Sequence, residues 1–363
     1  MATITSGTSG AWGTGANWVG GIAPVEGDKV IIARTSTALE TFSTDAAGYS
    51  IGATAITLTG AVAAGSYVIG ESVQFGTDPN YYRITNWVSG TKVLTVTALI
   101  VAIPASATLV KAKGHAMEID GTYICGDDTT TALTISGTIY ASRTVNSSLT
   151  VKGDIQMSAG IAATLDYGRR SLSDRIPSGV TATLVLNYSA AMANYKYGLF
   201  VGDSANCYFC GDTRARNTVT TSSLAISGTS VDVADITGWA VGDWVVFPAT
   251  DGTISHHERK QIATLTPGTG TTGTITFAAV SYAHATGCSV GNLSSNVTVK
   301  SYNTTNPAYV SFRTTSTGSN NRREIDHTSF EYIGSDIALA STKVWVSTTQ
   351  SIIITPFLSF TNC

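Results

Sequence analysis

Apolar and polar residues alternate at period two through most of this chain. Leu133–Tyr140, Leu149–Met157 and Thr181–Tyr188 are typical runs. Alternation of this kind places one side of an extended segment in a core and the other outside it. The runs recur every ~15–25 residues with Gly or Asn at the corners, as the coils of a parallel β-helix would. In such a column each coil stacks on the last at about 4.8 Å. Stretches rich in Glu, Lys and Leu at helical spacing are absent, so an all-β chain with negligible helix is expected. An antiparallel sandwich would alternate too. It ranks second because two-residue Asn-Gly and Asp-Gly hairpin turns are scarce.

One pattern occurs twice. Tyr67-Val68-Ile69-Gly70-Glu71-Ser72-Val73-Gln74-Phe75 and Trp239-Ala240-Val241-Gly242-Asp243-Trp244-Val245-Val246-Phe247 share aromatic, aliphatic, Gly, acid, Val and Phe positions. Each copy continues into a second run (Tyr82–Thr85; Lys260–Ala263) and a third (Leu94–Val96; Ile275–Phe277). Repetition of a strand unit marks a scaffold. The expected organisation is a cap and first coils at 1–55, an inserted β module at 56–112 and coils at 113–222. A second module at 223–290 and further coils at 291–363 complete it. The last segment, Phe357–Cys363, is apolar without a polar cap, so either a partner subunit covers this end or, the favoured reading, the natural protein continues beyond it. The loops Pro79–Arg83 and Ser255–Lys260, at the tips of the two modules, are expected to touch neighbouring molecules.

Composition narrows the functional classes. Of 363 residues, 43% are hydrophobic and 12% charged, with a net charge of −3. The charged share is about half the usual ~25%. With no basic patch to exchange for counterions, nucleic-acid binding is not expected. Leu94–Pro104 is shorter than the ~20 apolar residues of a membrane helix, and Met1–Gly7 lacks the features of a Sec signal, so neither membrane insertion nor ordinary secretion is expected. Trp12 and Trp18 read as a cap over one end of the core; a sugar-stacking platform would need exposed rings.

Candidate chemistry is sparse. Cys125, Cys207, Cys210, Cys288 and Cys363 are odd in number and widely spaced, unlike a disulfide framework. Cys207-Tyr208-Phe209-Cys210 has redox or zinc spacing, but in a strand its thiols point to opposite faces. Glycoside hydrolysis needs two carboxyls about 5–9.5 Å apart. Asp127 with Asp128 reads as a turn. Asp326 and Glu331, at odd spacing in one continuous strand, would face opposite sides. Asp203 with Asp212, near Arg214 and Arg216, is the remaining pair. His256-His257-Glu258-Arg259-Lys260 is the dense titratable cluster, and adjacent histidines splay apart in extended chain. No catalytic, cofactor-binding or metal residue is therefore assigned, and no cofactor is expected.

The order of these pieces resembles the eight-glycine domain family. The resemblance rests on Trp12…Asn17-Trp18…Pro24…Gly27-Asp28-Lys29-Val30-Ile31-Ile32, on Leu133–Gly137 through Leu149–Ile155, and on Trp239–Phe247 followed by Glu258, Ile262 and His284. It covers roughly residues 10–290, with 56–112 as an extra insertion. It implies a right-handed parallel β-helix and, with no export signal, a bacteriophage virion protein: a spike, fibre base or surface decoration, homotrimeric. Its partners would be copies of itself, other virion proteins and a host cell-surface glycan. The rival reading is a polysaccharide depolymerase of tailspike type or a hyaluronan-active relative. A bacterial adhesin would need an export route.

Overall fold

The structure, a computed structural model, describes residues 2–33, 41–45, 47–59, 67, 69, 71–78, 80, 82–111, 115–128, 131–157, 163–169, 174–187, 198–202, 205–302, 308–313, 323–333, 344–347, 353–354 and 358–361. It is all-β; among these residues the helical segments are short 3-10 turns at Gly15–Asn17 and Ile254–His256. The chain has two compact units, residues 1–211 with 297–363, and residues 212–296.

The alternating runs of the first unit form three parallel sheets. The first sheet contains Thr3–Thr5, Lys29–Ile32, Thr131–Ile135, Asp154–Met157, Gly198–Val201, Tyr309–Arg313 and Val344–Ser347. The second contains Gly10–Ala11, Ala116–Ile119, Thr138–Ala141, Thr164–Tyr167, Asn206–Cys210, Arg323–Asp326 and Ile353–Ile354. The third contains Thr122–Cys125, Ser147–Lys152, Ala182–Asn187, Val297–Ser301, Thr328–Glu331 and Leu358–Thr361. From Lys29 onward the chain visits first, second and third sheet in fixed rotation.

Alternation decides what each strand buries. Leu149, Leu184, Val299 and Phe330 stand in register on the third sheet, and all are buried in one core with Ile139, Leu165 and Cys207 of the second. Burying a side chain of this size contributes roughly 1.5–3 kcal/mol. The first pass has no third-sheet strand; the chain there carries Trp12 and Trp18 instead. Their rings meet edge-on at 5.0 Å, and Trp18 Nε1 donates to the Trp12 carbonyl at 2.8 Å. Tyr123, on the first strand of the third sheet, lies against Trp12 at 6.2 Å. Both indoles are buried, as a cap requires.

Two modules interrupt the rotation. The first, between Lys29–Ile32 and Ala116–Ile119, has strands Thr41–Thr44, Ala55–Thr59, Ser72–Phe75, Tyr82–Val88, Val93–Val96 and Thr108–Lys111, whose antiparallel pairings run round a ring. The second, between Asn206–Cys210 and Val297–Ser301, has Asn217–Val219, Ser230–Val233, Trp244–Phe247, Glu258–Gln261, Thr264–Pro267, Gly273–Thr276 and Ser289–Asn292. Each has its own apolar core.

The two modules share several hydrogen bonds at matching positions. Gly52 N–H donates to Leu99 O at 2.7 Å, and Ser227 N–H to Val280 O at 2.9 Å. Ile84 N–H reaches Glu71 O at 2.7 Å, and Ile262 N–H reaches Asp243 O at 2.8 Å. Ala107 N–H donates to Thr44 Oγ1 at 2.9 Å, and Cys288 N–H to Thr220 Oγ1 at 3.1 Å. Left-handed backbone recurs at Gly52 (φ 88°) and Ser227 (φ 64°), and at Ser106 (φ 55°) and Gly287 (φ 78°). The duplication is thus wider than the three strands read from sequence. It also starts earlier than residues 56 and 223, because each opening strand pairs with the closing one: Thr41 with Val110, Asn217 with Gly291.

Candidate functional site

Charge in this low-charge chain collects on the outward face of the second sheet. Glu118, Tyr140, Asp166, Tyr208 and Glu324 stand in register, one strand after another. Period-two alternation points them away from the apolar core, yet Tyr140, Asp166, Tyr208 and Glu324 are all buried. Arginines cover them. Arg143 Nη2 donates to Asp166 Oδ1 at 2.7 Å, and Arg169 Nε to Asp166 Oδ2 at 2.6 Å. The Arg169 guanidinium also lies 4.7 Å from the centre of the Tyr208 ring. Asp174, downstream of the same strand, takes Arg83 Nε and Nη2, each at 2.7 Å, and Arg143 Nε at 3.2 Å.

Local backbone makes this possible. Gly168 has φ 102°, and a Cβ there would stand 2.0 Å from the Cys210 carbonyl oxygen. Only glycine fits so close a crossing. Its N–H donates to Asp166 Oδ1 at 3.0 Å, which turns the chain to bring Arg169 back over the carboxylate.

Arg83 comes from the first module, on strand Tyr82–Val88, and lies 5.6 Å from the Tyr140 ring centre. The bidentate Arg83–Asp174 pair therefore ties module to parallel sheets. A second tie runs through the repeat's acid: Ser9 Oγ lies 3.4 Å from Glu71 Oε1 while accepting Ala116 N–H at 2.9 Å. This corrects the expectation for Pro79–Arg83. Asn80, Tyr82 and Arg83 are buried, with Asn80 N–H and the Tyr82 hydroxyl bonded to Asp78. The segment is a joint and not a contact tip; Pro79 and Tyr81 lie outside the described residues.

Burial by itself would raise the Asp166 carboxyl, but the guanidiniums of Arg169, Arg143 and Arg83 outweigh it and hold the group far below the usual carboxylate range. Asp166 thus stays ionised and serves as an anchor; it cannot hand over a proton near neutral pH. Desolvation of several charges is costly, so the network specifies position more than it adds stability.

The second module uses its matching positions differently. Its acid, Asp243, accepts Arg214 Nη1 at 3.1 Å, Asn292 Nδ2 at 2.9 Å and Ala240 N–H at 3.0 Å. Glu258, which stands where Asn80 stands in the first module, accepts the N–H groups of Ser281 at 2.8 Å and Tyr282 at 3.0 Å. Lys260 Nζ lies 3.1 Å away, and so does Nε2 of the buried His284. Burial opposes ionisation of Glu258, yet these donors together hold it at about 2 against an ordinary value of 4.5. In Ser255–Lys260, Ser255, His257 and Arg259 are exposed, whereas Glu258 is buried and opens the strand Glu258–Gln261. His256 stacks on Tyr282 at 3.8 Å with Nδ1 2.5 Å from Asp251, whereas His257 Nδ1 faces the Ile254 carbonyl at 2.8 Å. The adjacent histidines diverge.

The remaining candidates are held apart. Asp127 pairs with Lys29 at 3.7 Å and Asp128, at φ 59°, with Lys152 at 3.4 Å. Asp326 and Glu331 are not on one continuous strand, because His327 at φ 50° ends Arg323–Asp326 and Thr328 starts the next. Asp326 is bonded to Arg175 and to His327, and Glu331 accepts from Ser329 Oγ at 3.1 Å. Asp203 lies outside the described residues. Asp212 accepts neither nearby arginine: Arg214 goes to Asp243, and Arg216 to Ser295 Oγ and the Ser294 carbonyl. Cys207 sits in the apolar core, where burial pushes its thiol up, while Cys210 Sγ reaches the Glu324 carbonyl at 3.7 Å. Among the described residues no group of His, Cys, Asp and Glu is placed to hold a metal, and no helix is long and apolar enough to cross a membrane.

No protein-family model matches the chain, and no curated protein is significantly similar to it.

Asp174→Ala takes the bidentate partner from the buried Arg83 and one of the two carboxylates from Arg143, and is expected to cost about 3 kcal/mol in urea unfolding, whereas exposed Asp232→Ala should stay within about 0.5 kcal/mol. Equal effects would contradict the joint. Glu258 has a folded-state value below its unfolded one, so its contribution is complete above pH 4.5 and is lost as pH falls toward 2. Glu258→Gln should lower the melting temperature at pH 7 and flatten its fall between pH 4.5 and 2.

Proposed function

We propose that this chain is a non-catalytic structural component of a tailed bacteriophage virion. It would be a spike, a fibre base or a capsid or tail surface decoration, built on a right-handed parallel β-helix of the eight-glycine type. It folds in the host cytoplasm, assembles as a homotrimer with other virion proteins, and reaches the outside on the particle, where it presents parts that meet a host cell-surface glycan.

The observation that carries this reading is the fixed rotation of strands through three parallel sheets, with a duplicated module set into two corners of the rotation. Such a column pairs its backbone along its length and protects edges from unwanted strand addition. Among the described residues, the candidate carboxylates Asp127, Asp128 and Asp326 are bound to Lys29, Lys152 and Arg175, which favours mechanical use over turnover. Thr, Ser and Gly solvate the surface with little charge, which suits a particle component.

Mass spectrometry of purified particles of the phage encoding the chain tests this. The chain should be present in symmetric copy number, and gold-labelled antibody should decorate one site class. The purified chain should release no new reducing ends from host capsule or hyaluronan. Absence from particles would overturn the reading, and release of reducing ends would transfer it to the depolymerases.

A further inference from the structure

Both ring nitrogens of His284 face acceptors. Nδ1 lies 3.0 Å from the Pro248 carbonyl oxygen, and Nε2 lies 3.1 Å from Glu258 Oε2. A carbonyl oxygen has no proton to give. Glu258 has none either: against the pull of burial, the Ser281 N–H, Lys260, the Tyr282 N–H and the ring itself hold it ionised. A neutral imidazole carries one N–H, so it serves one of these acceptors and turns a lone pair on the other. The imidazolium, with two, serves both. His284 is 1% exposed and packs against the Phe247 ring at 5.4 Å, which leaves the geometry to the protein's own donors.

The first module shows what this pair replaces. Tyr49 bridges to Ile103 there as Leu224 bridges to His284 here, so the histidine stands where the other copy buries an aliphatic side chain. Glu258 stands where that copy has Asn80. Acid and histidine are thus present together in one copy and absent together from the other.

The pair sits at the base of a loop. Residues 248–257 join Trp244–Phe247 to Glu258–Gln261 and are fastened to residues 281–285 at three points. His284 meets the Pro248 carbonyl, Thr250 Oγ1 donates to the Ala283 carbonyl at 3.2 Å, and the His256 ring stacks on Tyr282 at 3.8 Å. The titratable groups around the clamp come from each packed segment. Glu258 and Lys260 belong to one strand, and Lys260 Nζ also donates to the Ala279 carbonyl at 2.7 Å. His256, on the loop, is paired with Asp251, and Tyr282 lies under it. Trp244–Phe247 contributes the apolar Phe247 ring, and Leu224 contributes backbone.

We propose that residues 248–257 and 281–285 form a proton-gated latch, held shut by the His284 imidazolium clamped between the Pro248 carbonyl and the Glu258 carboxylate. When Nδ1 gives its proton to solvent, the Pro248 carbonyl loses its donor while Nε2–H stays with the carboxylate. Opening therefore starts at the loop and leaves Trp244–Phe247 paired with Glu258–Gln261. Free histidine titrates near 6.5. A proton that the folded module keeps and the unfolded chain sheds gives a latch complete below that pH and lost as pH rises above it. Glu258 fails on the acid side and the latch on the alkaline side, so the module is closed in the window between them.

Long-range nitrogen–proton NMR of the labelled full chain reads both ring nitrogens, with His284→Ile identifying the signal among the five histidines. Both His284 nitrogens should carry protons at about pH 6, and Nδ1 should lose its proton on raising the pH to about 9. Hydrogen exchange, corrected for its intrinsic pH dependence, should show protection in 248–257 and 281–285 falling about tenfold over that interval. Glu258→Gln, which removes the anion, should leave one nitrogen bare at neutral pH and abolish that pH dependence. A bare nitrogen on wild-type His284 at about pH 6 would overturn the clamp. Two protonated nitrogens with protection unchanged up to about pH 9 would overturn the latch.

Discussion

In-register backbone pairing between successive passes of the chain is the constraint on which everything else depends. Parallel strands sit about 4.8 Å apart, so Leu149 has Leu184 beside it, then Val299, then Phe330. Side-chain period makes this unforgiving, since a one-residue slip would send every core residue outside. Insertions must therefore leave and return at corners. Lys29–Ile32 still pairs with Thr131–Ile135 across the first module, and Ala182–Asn187 with Val297–Ser301 across the second. Each module can do this because it carries its own core and makes no demand on the ladder.

Electrostatics serves the same end. Asp166 and Asp174 draw in Arg83, Arg143 and Arg169 from three separate stretches of chain, one of them in the inserted module. Buried ion pairs gain little net stability, but they penalise any arrangement that leaves one charge unmatched. The first module is thus directed to one place on the sheets. In the second, Asp243 does a comparable task within its own unit by gathering Arg214 and Asn292.

Period-two alternation made the strands legible in sequence, and the spacing of Trp12 and Trp18 made the cap legible. The duplication was visible only where both copies keep bulky residues, as at Tyr67 and Trp239. Its outer strands escaped because Thr41–Thr44 and Asn217–Val219 are too short to alternate convincingly. The charged joint escaped for a different reason: alternation says that Tyr140, Asp166 and Tyr208 face away from the core, but not that something will cover them. One signal was available. Residues 166–175 hold Asp166, Arg169, Arg170, Asp174 and Arg175 in a chain that is 12% charged. The break at His327 was hidden because a non-glycine residue there takes left-handed backbone.

Native-state hydrogen exchange read by mass spectrometry tests the continuity of the ladder most directly. If the parallel sheets are one cooperative body with modules set into its corners, Lys29–Ile32 and Thr131–Ile135 should open at a common free energy, as should Ala182–Asn187 and Val297–Ser301. The module strands should open separately from them. Different protection on the two sides of either insertion, with the module strands opening together with one side, would contradict the account.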